Sequence, residues 1–310
     1  MQIPIFKPQT EWIPPTDFPD LGKYDEIAID LETKDPNLNE RMGSGSVVGV
    51  GDVVGISLAT ADWCAYYPIA HEGGGNMDRK MVLKWLQDQM NYESTKIFHN
   101  AMYDICWLRA IGINVKGRIV DTMIAASLVD ENRFRYDLNG VSRDYIGKGK
   151  DENALYEAAK SWGVDPKAEM YKLPAMYVGA YAERDAQLTF ELWQELKKEI
   201  LHQDIESIFN METELFPALV DMRFLGVRVD KEQAHREKKL MLAEESQLLG
   251  SVYADTKIEV QIWAARSIAK VFDKLGLPYD RTEKTGAPSF TKNFLANHPH
   301  PIVKNIAKAR

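Results

Sequence analysis

Short apolar runs dominate the first 130 residues, and most have the length and composition of buried strands. The runs that predict strands are 25–31, 53–60, 63–70, 95–100 and 115–122. Between and after them, apolar residues recur at helical spacing. The segments that predict helices are 77–90, 101–111 and 124–130. Strands that come first and then alternate with helices predict an α/β or α+β sheet with helices packed on it.

The pattern changes after Gly163, where the chain becomes almost wholly helical. Residues 206–310 continue the helical pattern without a predicted strand, and we place a domain boundary near Gln203. The first twenty residues contain five prolines, which favours an extended surface arm. The predicted organisation is an arm at 1–20, an α/β domain at 21–205 and a helical segment after it.

The composition is typical of a globular protein, with 45% hydrophobic and 27% charged residues among 310. No apolar run approaches the roughly 18 residues of a membrane-spanning helix, and the N-terminus lacks the pattern of a secretory signal. Cys64 and Cys106 are too few for a disulfide framework or a thiolate metal site. We therefore expect a cytoplasmic protein that does not bind membranes.

The net charge of -8 is unevenly distributed along the chain. Residues 206–310 hold 16 of the 38 basic and 14 of the 46 acidic residues, a net charge of +2. The other 22 basic and 32 acidic residues give residues 1–205 a net charge of -10. An acidic half repels phosphates unless divalent cations occupy some of its carboxylates. Composition therefore permits a nucleic-acid partner, with contacts in the first half made through metal ions.

Two carboxylates, Asp30 and Glu32, end the first apolar run in IAIDLETKDP. Residues i and i+2 of a strand point to the same face, so these side chains project together, away from Ile29 and Leu31. An isolated Asp-x-Glu is more often the point where a strand reaches solvent than a binding site. The pair indicates chemistry only if the rest of the chain supplies partners.

A second acidic position lies in HNAMYD at 99–104. Asn100 follows a predicted strand and can cap the next helix. Asp104 falls in the first turn of that helix, where the helix dipole favours a carboxylate and by itself accounts for the residue. We interpret His99 and Tyr103 as packing or lining residues rather than metal ligands.

A third acidic position lies in the helix that contains YAERD. Tyr181 and Asp185 are four residues apart and share a helical face, which continues through Leu188 and Leu192. A charged aspartate on an apolar face costs several kcal/mol unless it has a partner such as a cation. The alternative is a structural aspartate that caps a neighbouring loop.

Four acidic residues and one tyrosine can thus converge on one site. They are Asp30, Glu32, Asp104, Asp185 and Tyr181. Clustered carboxylates suit oxygen-preferring ions such as Mg²⁺ or Mn²⁺. Two such ions, roughly 3.5–4 Å apart, can generate a hydroxide and stabilise the leaving oxygen of a phosphodiester. We expect a site for two divalent metal ions.

The order DLET, HNAMYD and YAERD resembles the three exonuclease motifs of the 3′–5′ proofreading domain of family A (DNA polymerase I-like) DNA polymerases. The resemblance covers about residues 20–205 and implies a ribonuclease H-like fold. The segment IVDTMIAASLVDENRFRYDLNGVSRDYIG resembles the Asp-Thr helix of that family and the loop after it. We interpret Asp121 in this segment as structural.

The resemblance implies a role for each acidic residue. Asp30, Glu32 and Asp185 would ligate the first metal ion, with Asp30 also bridging to the second. Asp104 would support the second ion through water. Tyr181 would orient the attacking water.

Other matched positions imply contacts with DNA. Asn100 and Tyr103 would contact the single-stranded 3′ end. ETELFPALVDMRFLGVRVD and LGLPYDRTEKTGAPSFTKNFL resemble the start of the polymerase portion and the tip of its thumb. Arg281, Lys284 and Lys292 would then approach the phosphates of a primer-template duplex, although a solvated basic loop is an equally good interpretation.

The sequence contains no segment that resembles the palm motifs or the fingers helix of the family. We therefore expect no DNA synthesis from this chain alone. It would be a fragment or a naturally split subunit, with palm and fingers supplied in trans by a polymerase chain. The N-terminal arm and DLETKDPNL are more similar to bacteriophage than to bacterial members, which would place the protein in a bacterial host.

The expected function is a metal-dependent 3′–5′ exodeoxyribonuclease that trims mismatched 3′ ends and releases deoxynucleoside 5′-monophosphates. One alternative is a ribonuclease D-type exoribonuclease, which uses the same motifs. The polymerase-like segment after residue 206 argues against it. Another is a non-catalytic subunit that binds DNA or docks a polymerase, and the four intact acids with Tyr181 argue against that.

Overall fold

The structure is a computed structural model that describes residues 10–38 and 44–310. The chain divides into two compact units, Met1–Gly226 and Val227–Arg310. Each unit has its own hydrophobic core. The acidic motifs all belong to the first unit.

The boundary between the units lies later than the sequence predicts. The helix Glu206–Leu225 follows the predicted boundary near Gln203 but belongs to the first unit. Its Phe216 and Val220 are buried in a core of that unit, so the helix is part of the α/β body. Helical periodicity alone does not distinguish a helix of the first unit from a helix of the second. It shows that one face of the helix is buried, but not which unit that face packs against.

The first unit is built on a five-stranded mixed sheet with strand order β3-β2-β1-β4-β5. The strands are β1 Glu26–Lys34, β2 Asp52–Ala59, β3 Cys64–Pro68, β4 Thr95–Phe98 and β5 Ile119–Asp121. β1, β2 and β3 pair antiparallel, whereas β4 pairs parallel with β1 and with β5. The predicted α/β class and the mixed sheet of a ribonuclease H-like domain are confirmed.

Helices cover both faces of this sheet. The helices of the first unit are α1 Gly45–Val48, α2 Arg79–Met90, α3 Ala101–Ala110, α4 Thr122–Val129, α5 Leu138–Ile146, α6 Asn153–Trp162, α7 Gly179–His202 and α8 Glu206–Leu225. Two short 3-10 turns, Met170–Lys172 and Ala175–Tyr177, precede α7. Across the described ranges, no helix is both long and apolar enough to cross a membrane.

Side chains of β1 alternate between two cores. Ile27, Ile29 and Leu31 face the core that includes residues of α2 and α3. Ala28 faces the core formed with α4, α5 and α7. Because strand side chains alternate, Asp30 continues the face of Ala28 and is directed toward α7.

The described part of the N-terminal arm is irregular and packs on the first unit. Trp12 donates a hydrogen bond from Nε1 to Oε1 of Glu183 at 2.9 Å. Trp85 donates one from Nε1 to the carbonyl of Pro19 at 2.8 Å. Residues 1–9 of the predicted arm lie outside the described residues.

The second unit is helical with one short ribbon. Its helices are α9 Lys231–Thr256, α10 Ala265–Leu275, α11 Lys292–Asn297 and α12 Pro301–Ala309. The sequence predicts no strand after residue 206, but β6 Asp280–Arg281 and β7 Pro288–Ser289 form an antiparallel pair. Two-residue strands are too short to produce a readable alternation of apolar and polar positions.

Candidate active site

β1 carries the first two acidic residues into the site. Asp30 pairs with Ser57, and Glu32 pairs with Gly55, across the antiparallel ladder with β2. The register of this ladder shifts directly after Glu32, at a bulge or irregularity. Bulges bend a strand and often re-aim side chains beside functional sites. Regular pairing therefore holds both carboxylates just before this irregularity.

Gly55 leaves room beside Glu32 for a buried tyrosine. A Cβ at position 55 would lie 2.0 Å from the hydroxyl of Tyr66. That hydroxyl lies 2.7 Å from Nε2 of His71, whose Nδ1 lies 2.9 Å from the carbonyl of Leu173. Because a carbonyl only accepts, Nδ1 carries the proton and Tyr66 donates to Nε2. Burial lowers the pKa of His71 to about 4, so the ring stays neutral.

α7 brings the third acidic residue against β1. One carboxylate oxygen from each of Asp30, Glu32 and Asp185 lies within 4.8 Å of the other two. Asp185 is 3% exposed, and its Oδ1 has no hydrogen-bond partner among the residues that the structure describes. A buried carboxylate oxygen is costly without a partner. Three convergent carboxylates with a free buried oxygen fit a hard divalent cation.

Burial and mutual repulsion raise the pKa values of the clustered carboxyl groups. Burial, and then the charge of Asp185, raises the pKa of Asp30 to about 7. Burial, and then the charge of Asp30, raises the pKa of Glu32 well above its usual range. Burial also raises the pKa of Asp185, although Lys150 opposes that shift. Such elevated pKa values mean that the ionised cluster needs positive charge nearby.

Asp104 approaches β1 from the first turn of α3, as the sequence predicts. It is buried, and its Oδ1 accepts a hydrogen bond from the Leu31 N–H at 3.1 Å. Burial, and then the charge of Asp30, raises its pKa well above the usual range. Its oxygens do not join the three that lie within 4.8 Å of one another in the described chain. The charge of Asp30 therefore acts on Asp104, but the carboxylate of Asp104 is hydrogen-bonded to the backbone of β1.

The predicted capping role of Asn100 is wrong. Asn100 precedes α3 in the left-handed conformation, with φ 69°, and its side chain makes no capping hydrogen bond within the described chain. Asp121 provides the cap instead. Its Oδ1 accepts from the N–H groups of Asn100 and Met123 at 2.9 Å, and its Oδ2 accepts from Ala101 N–H at 2.8 Å. Asp121 is thus structural, as the sequence predicts.

A groove of about 430 Å³ opens beside the cluster. Its lining includes Glu32, Asn100, Tyr103, Asp137, Lys150 and Tyr181. The hydroxyl of Tyr103 lies 2.6 Å from Oγ1 of Thr33, which holds the ring at the wall of the groove. The ring nitrogens of His99 lie 2.8 Å from Oγ1 of Thr122 and 2.8 Å from the carbonyl of Tyr136, in agreement with a packing role.

Lys150 is a residue of the site that no sequence pattern indicates. Its Nζ lies 2.5 Å from Oδ2 of Asp185 and 3.1 Å from the hydroxyl of Tyr181. Tyr181 and Asp185 therefore share a face of α7, as predicted, and meet the same ammonium. In the sequence, GKGKDEN has the composition of an exposed basic loop. Only the packing of that loop against α7 brings Lys150 to the acidic residues.

The basic residues expected at the thumb-like turn lie in the second unit and are exposed. Arg281 donates from Nη1 to the carbonyl of Gly286 at 2.9 Å, and its guanidinium lies 5.3 Å from the centroid of the Tyr279 ring. Lys284 lies in the turn, and Lys292 begins α11. Their contacts with duplex phosphates stay a prediction.

Known proteins resemble this chain along its whole length. A family model described as 3′–5′ exonuclease matches residues 18–201. A DNA-directed DNA polymerase of Pseudomonas phage M6 is 32% identical over an alignment of 321 residues, which covers 100% of this chain and 48% of that protein. A DNA polymerase DpoZ of Acinetobacter phage SH-Ab 15497 is 28% identical over 318 residues, which cover 94% of this chain and 47% of that protein. The chain spans about half the length of these curated relatives.

A solved structure shares the fold. The POL domain of Pol1 from M. smegmatis, in complex with DNA primer-template and dNTP, has a TM-score of 0.64 at 16% identity, over 94% of this chain and 45% of that one. The family match covers the sheet and all four acidic residues of the site. The resemblance predicted from the three motifs is confirmed, and the chain belongs to the 3′–5′ exonuclease family of DNA polymerase A.

Proposed function

We propose that this chain is a metal-dependent 3′–5′ exodeoxyribonuclease that trims single-stranded 3′ ends and releases deoxynucleoside 5′-monophosphates. The observation that carries the proposal is the convergence of Asp30, Glu32 and Asp185, with one oxygen of each within 4.8 Å of the others. This cluster lies inside a domain of the 3′–5′ exonuclease family. Divalent ions held there would supply an activated water and stabilise the leaving oxygen of the phosphodiester.

The carboxylates of the cluster are the groups that would hold the ions. Asp30, Glu32 and Asp185 offer convergent carboxylate oxygens, and Asp104 lies near Asp30 as a supporting charge. All four offer only oxygen, which Mg²⁺ and Mn²⁺ both prefer. We propose two divalent ions, which Asp30, Glu32 and Asp185 would hold with support from Asp104.

The groove beside the cluster suits an unpaired 3′ end. Tyr181 lines it, and we assign its hydroxyl the orientation of the attacking water. Asn100 and Tyr103 line the same groove, and the fixed ring of Tyr103 offers a flat surface on which a base can stack. Unpairing costs least at a mismatched end, which favours removal of mismatched nucleotides.

DNA is proposed as the substrate on the basis of the relatives. The phage proteins are named DNA polymerases, and the solved M. smegmatis protein holds a DNA primer-template. We propose that the exonuclease proofreads for the palm and fingers of a family A polymerase. Arg281, Lys284 and Lys292 are exposed cations, which supports contacts of these residues with the phosphates of the primer-template duplex.

Removing a carboxylate from the cluster tests the proposal. We expect Asp30→Ala and Asp185→Ala each to slow the shortening of DNA from its 3′ end by more than about 100-fold, since each variant removes one of the three convergent carboxylates. The measurement uses a 5′-labelled single-stranded oligonucleotide with Mg²⁺ or Mn²⁺. Asp88→Ala, on the exposed side of α2, is the matched control and should retain the parent rate.

The outcomes separate the candidate functions. Parent-level shortening by both cluster variants would contradict the site. Faster shortening of RNA than of DNA of the same sequence would favour a ribonuclease D-type enzyme. Binding of DNA by the parent protein, without any shortening in Mn²⁺, would favour a non-catalytic subunit.

A further inference from the structure

A lysine ammonium lies within the acidic cluster. Nζ of Lys150 is 2.5 Å from Oδ2 of Asp185 and 3.1 Å from the hydroxyl of Tyr181. It also lies 5.1 Å from the centroid of the Tyr181 ring. The side chain of Lys150 is 17% exposed and that of Asp185 is 4% exposed. Solvent therefore screens this ion pair weakly, and the charge of Lys150 acts strongly on the neighbouring carboxylates.

The loop between α5 and α6 positions the Lys150 ammonium at the cluster. The Lys150 N–H donates to Oδ1 of Asn139 at 3.0 Å, which ties the loop to α5. A Cβ on Gly149 would lie 2.8 Å from the same Oδ1, so a larger residue there would disturb this hydrogen bond. Lys148 of the same loop instead pairs with Glu191 at 2.8 Å, and its side chain is 51% exposed. Two lysines of one loop thus have opposite environments.

Lys150 pairs with only one of the two carboxylate oxygens of Asp185. Oδ2 of Asp185 faces the ammonium, whereas Oδ1 is buried without a partner in the described part of the chain. A divalent ion bound by these carboxylates would lie close to the Lys150 ammonium. Two positive charges a few ångströms apart repel strongly where screening is weak. Without the ammonium, the three carboxylates would repel one another in the metal-free protein.

We propose that Lys150 is a positioning residue that acts as a built-in counter-cation. It holds Asp185 and Tyr181 in place before metal binds, and it weakens the binding of the divalent ion that competes with it for Asp185. This inference rests on the proposed metal-dependent function. Its consequence is a preformed site from which metal ions dissociate more readily than from the carboxylates alone.

Removing the charge of Lys150 while keeping its unbranched stem tests the inference. We expect Lys150→Met to bind Mn²⁺ about tenfold more tightly than the parent, because repulsion of the incoming ion is lost. We expect its melting temperature in EDTA to fall, and the rise in melting temperature on adding Mn²⁺ to exceed that of the parent. Electron paramagnetic resonance of free Mn²⁺ measures the first quantity and thermal unfolding the second. A purely structural role of Lys150 would give weaker binding instead.

Two variants separate charge from packing. Lys150→Arg keeps a cation and should bind Mn²⁺ as the parent does. Lys148→Met removes the exposed lysine of the same loop and should leave both measurements at the parent values. If Lys150→Met does not fold, Lys150→Gln carries the same expectation.

The outcomes distinguish this inference from the proposed function. Asp30→Ala should lose Mn²⁺ binding. If the parent binds no Mn²⁺, or Asp30→Ala binds it as the parent does, the metal site is wrong and the role of Lys150 with it. If the parent binds Mn²⁺ at the cluster and folded Lys150→Met binds it equally or less tightly, only the role of Lys150 is overturned.

Discussion

At the scale of single residues, His71 is a buried imidazole that folding keeps neutral. Burial lowers its pKa to about 4 from a usual value of 6.5. Between these values the unfolded chain binds a proton that the folded protein excludes, so protonation favours unfolding. The stability that His71 contributes is present above pH 6.5 and is lost as the pH falls toward 4. His99, whose pKa burial also lowers to about 4, acts in the same direction.

Replacing His71 by a neutral analogue should flatten this pH dependence. We expect the free energy of unfolding of the parent to include up to about 3 kcal/mol from His71 that disappears between pH 6.5 and pH 4. Glutamine can donate and accept in place of the ring, so His71→Gln should show the shallower slope in urea denaturation at a series of pH values. His235→Gln, at an exposed position of α9, controls for the loss of an imidazole. Equal slopes in parent and His71→Gln would contradict this account.

At the scale of elements, Asp121 joins β5 to the starts of two helices. Its carboxylate accepts hydrogen bonds from Asn100 and Ala101 before α3 and from Met123 in α4. The N-terminal N–H groups of a helix have no partners within it, so a buried helix start needs such an acceptor. α3 carries Asp104 in its first turn, and Asp121 therefore sets the position of one acidic residue indirectly.

Truncating Asp121 should cost more stability than truncating an ordinary cap. We expect Asp121→Ala to lower the free energy of unfolding by about 3 kcal/mol or more, because three backbone donors lose their acceptor in a buried site. Asp78→Ala removes a single cap from α2, where the Asp78 carboxylate accepts only from Met81 N–H among the described hydrogen bonds, and should cost about 1 kcal/mol. Chemical denaturation of both variants checks the difference, and equal losses would count against the double-capping role.

At the scale of the whole molecule, the two units have separate cores. The core of the second unit includes Phe272, whose ring centroid lies 4.9 Å from that of Phe290 and 5.9 Å from that of Phe294. The core on the α7 side of the sheet includes Leu192. A cavity in one core should therefore destabilise that unit first.

Hydrogen exchange measured by mass spectrometry can localise this effect. We expect Phe272→Ala, which costs roughly 3–5 kcal/mol in a well-packed core, to speed amide exchange in α10, α11 and α12 while α7 keeps its protection. Leu192→Ala is the reciprocal control and should speed exchange in α7 first. Uniform acceleration over both units in either variant would show that they unfold as one body.

Local patterns were enough to predict most of the sheet and the face that carries each acidic residue. The two-residue period of β1 places Asp30 and Glu32 together, and the four-residue spacing on α7 places Tyr181 and Asp185 together. Both relations depend only on backbone geometry within one element. They are therefore readable from the sequence without knowledge of the fold.

Residues that are distant in the sequence explain what local patterns missed. The cap of α3 comes from Asp121, 20 residues after Ala101, and not from the adjacent Asn100. The cation nearest Asp185 is Lys150, 35 residues earlier and in a loop of ordinary composition. The sequence by itself determined the kind of chemistry and the local direction of its side chains. Tertiary structure alone decided the cap, the counter-cation and the extent of the first unit, because each depends on packing between elements whose mutual position no local period encodes.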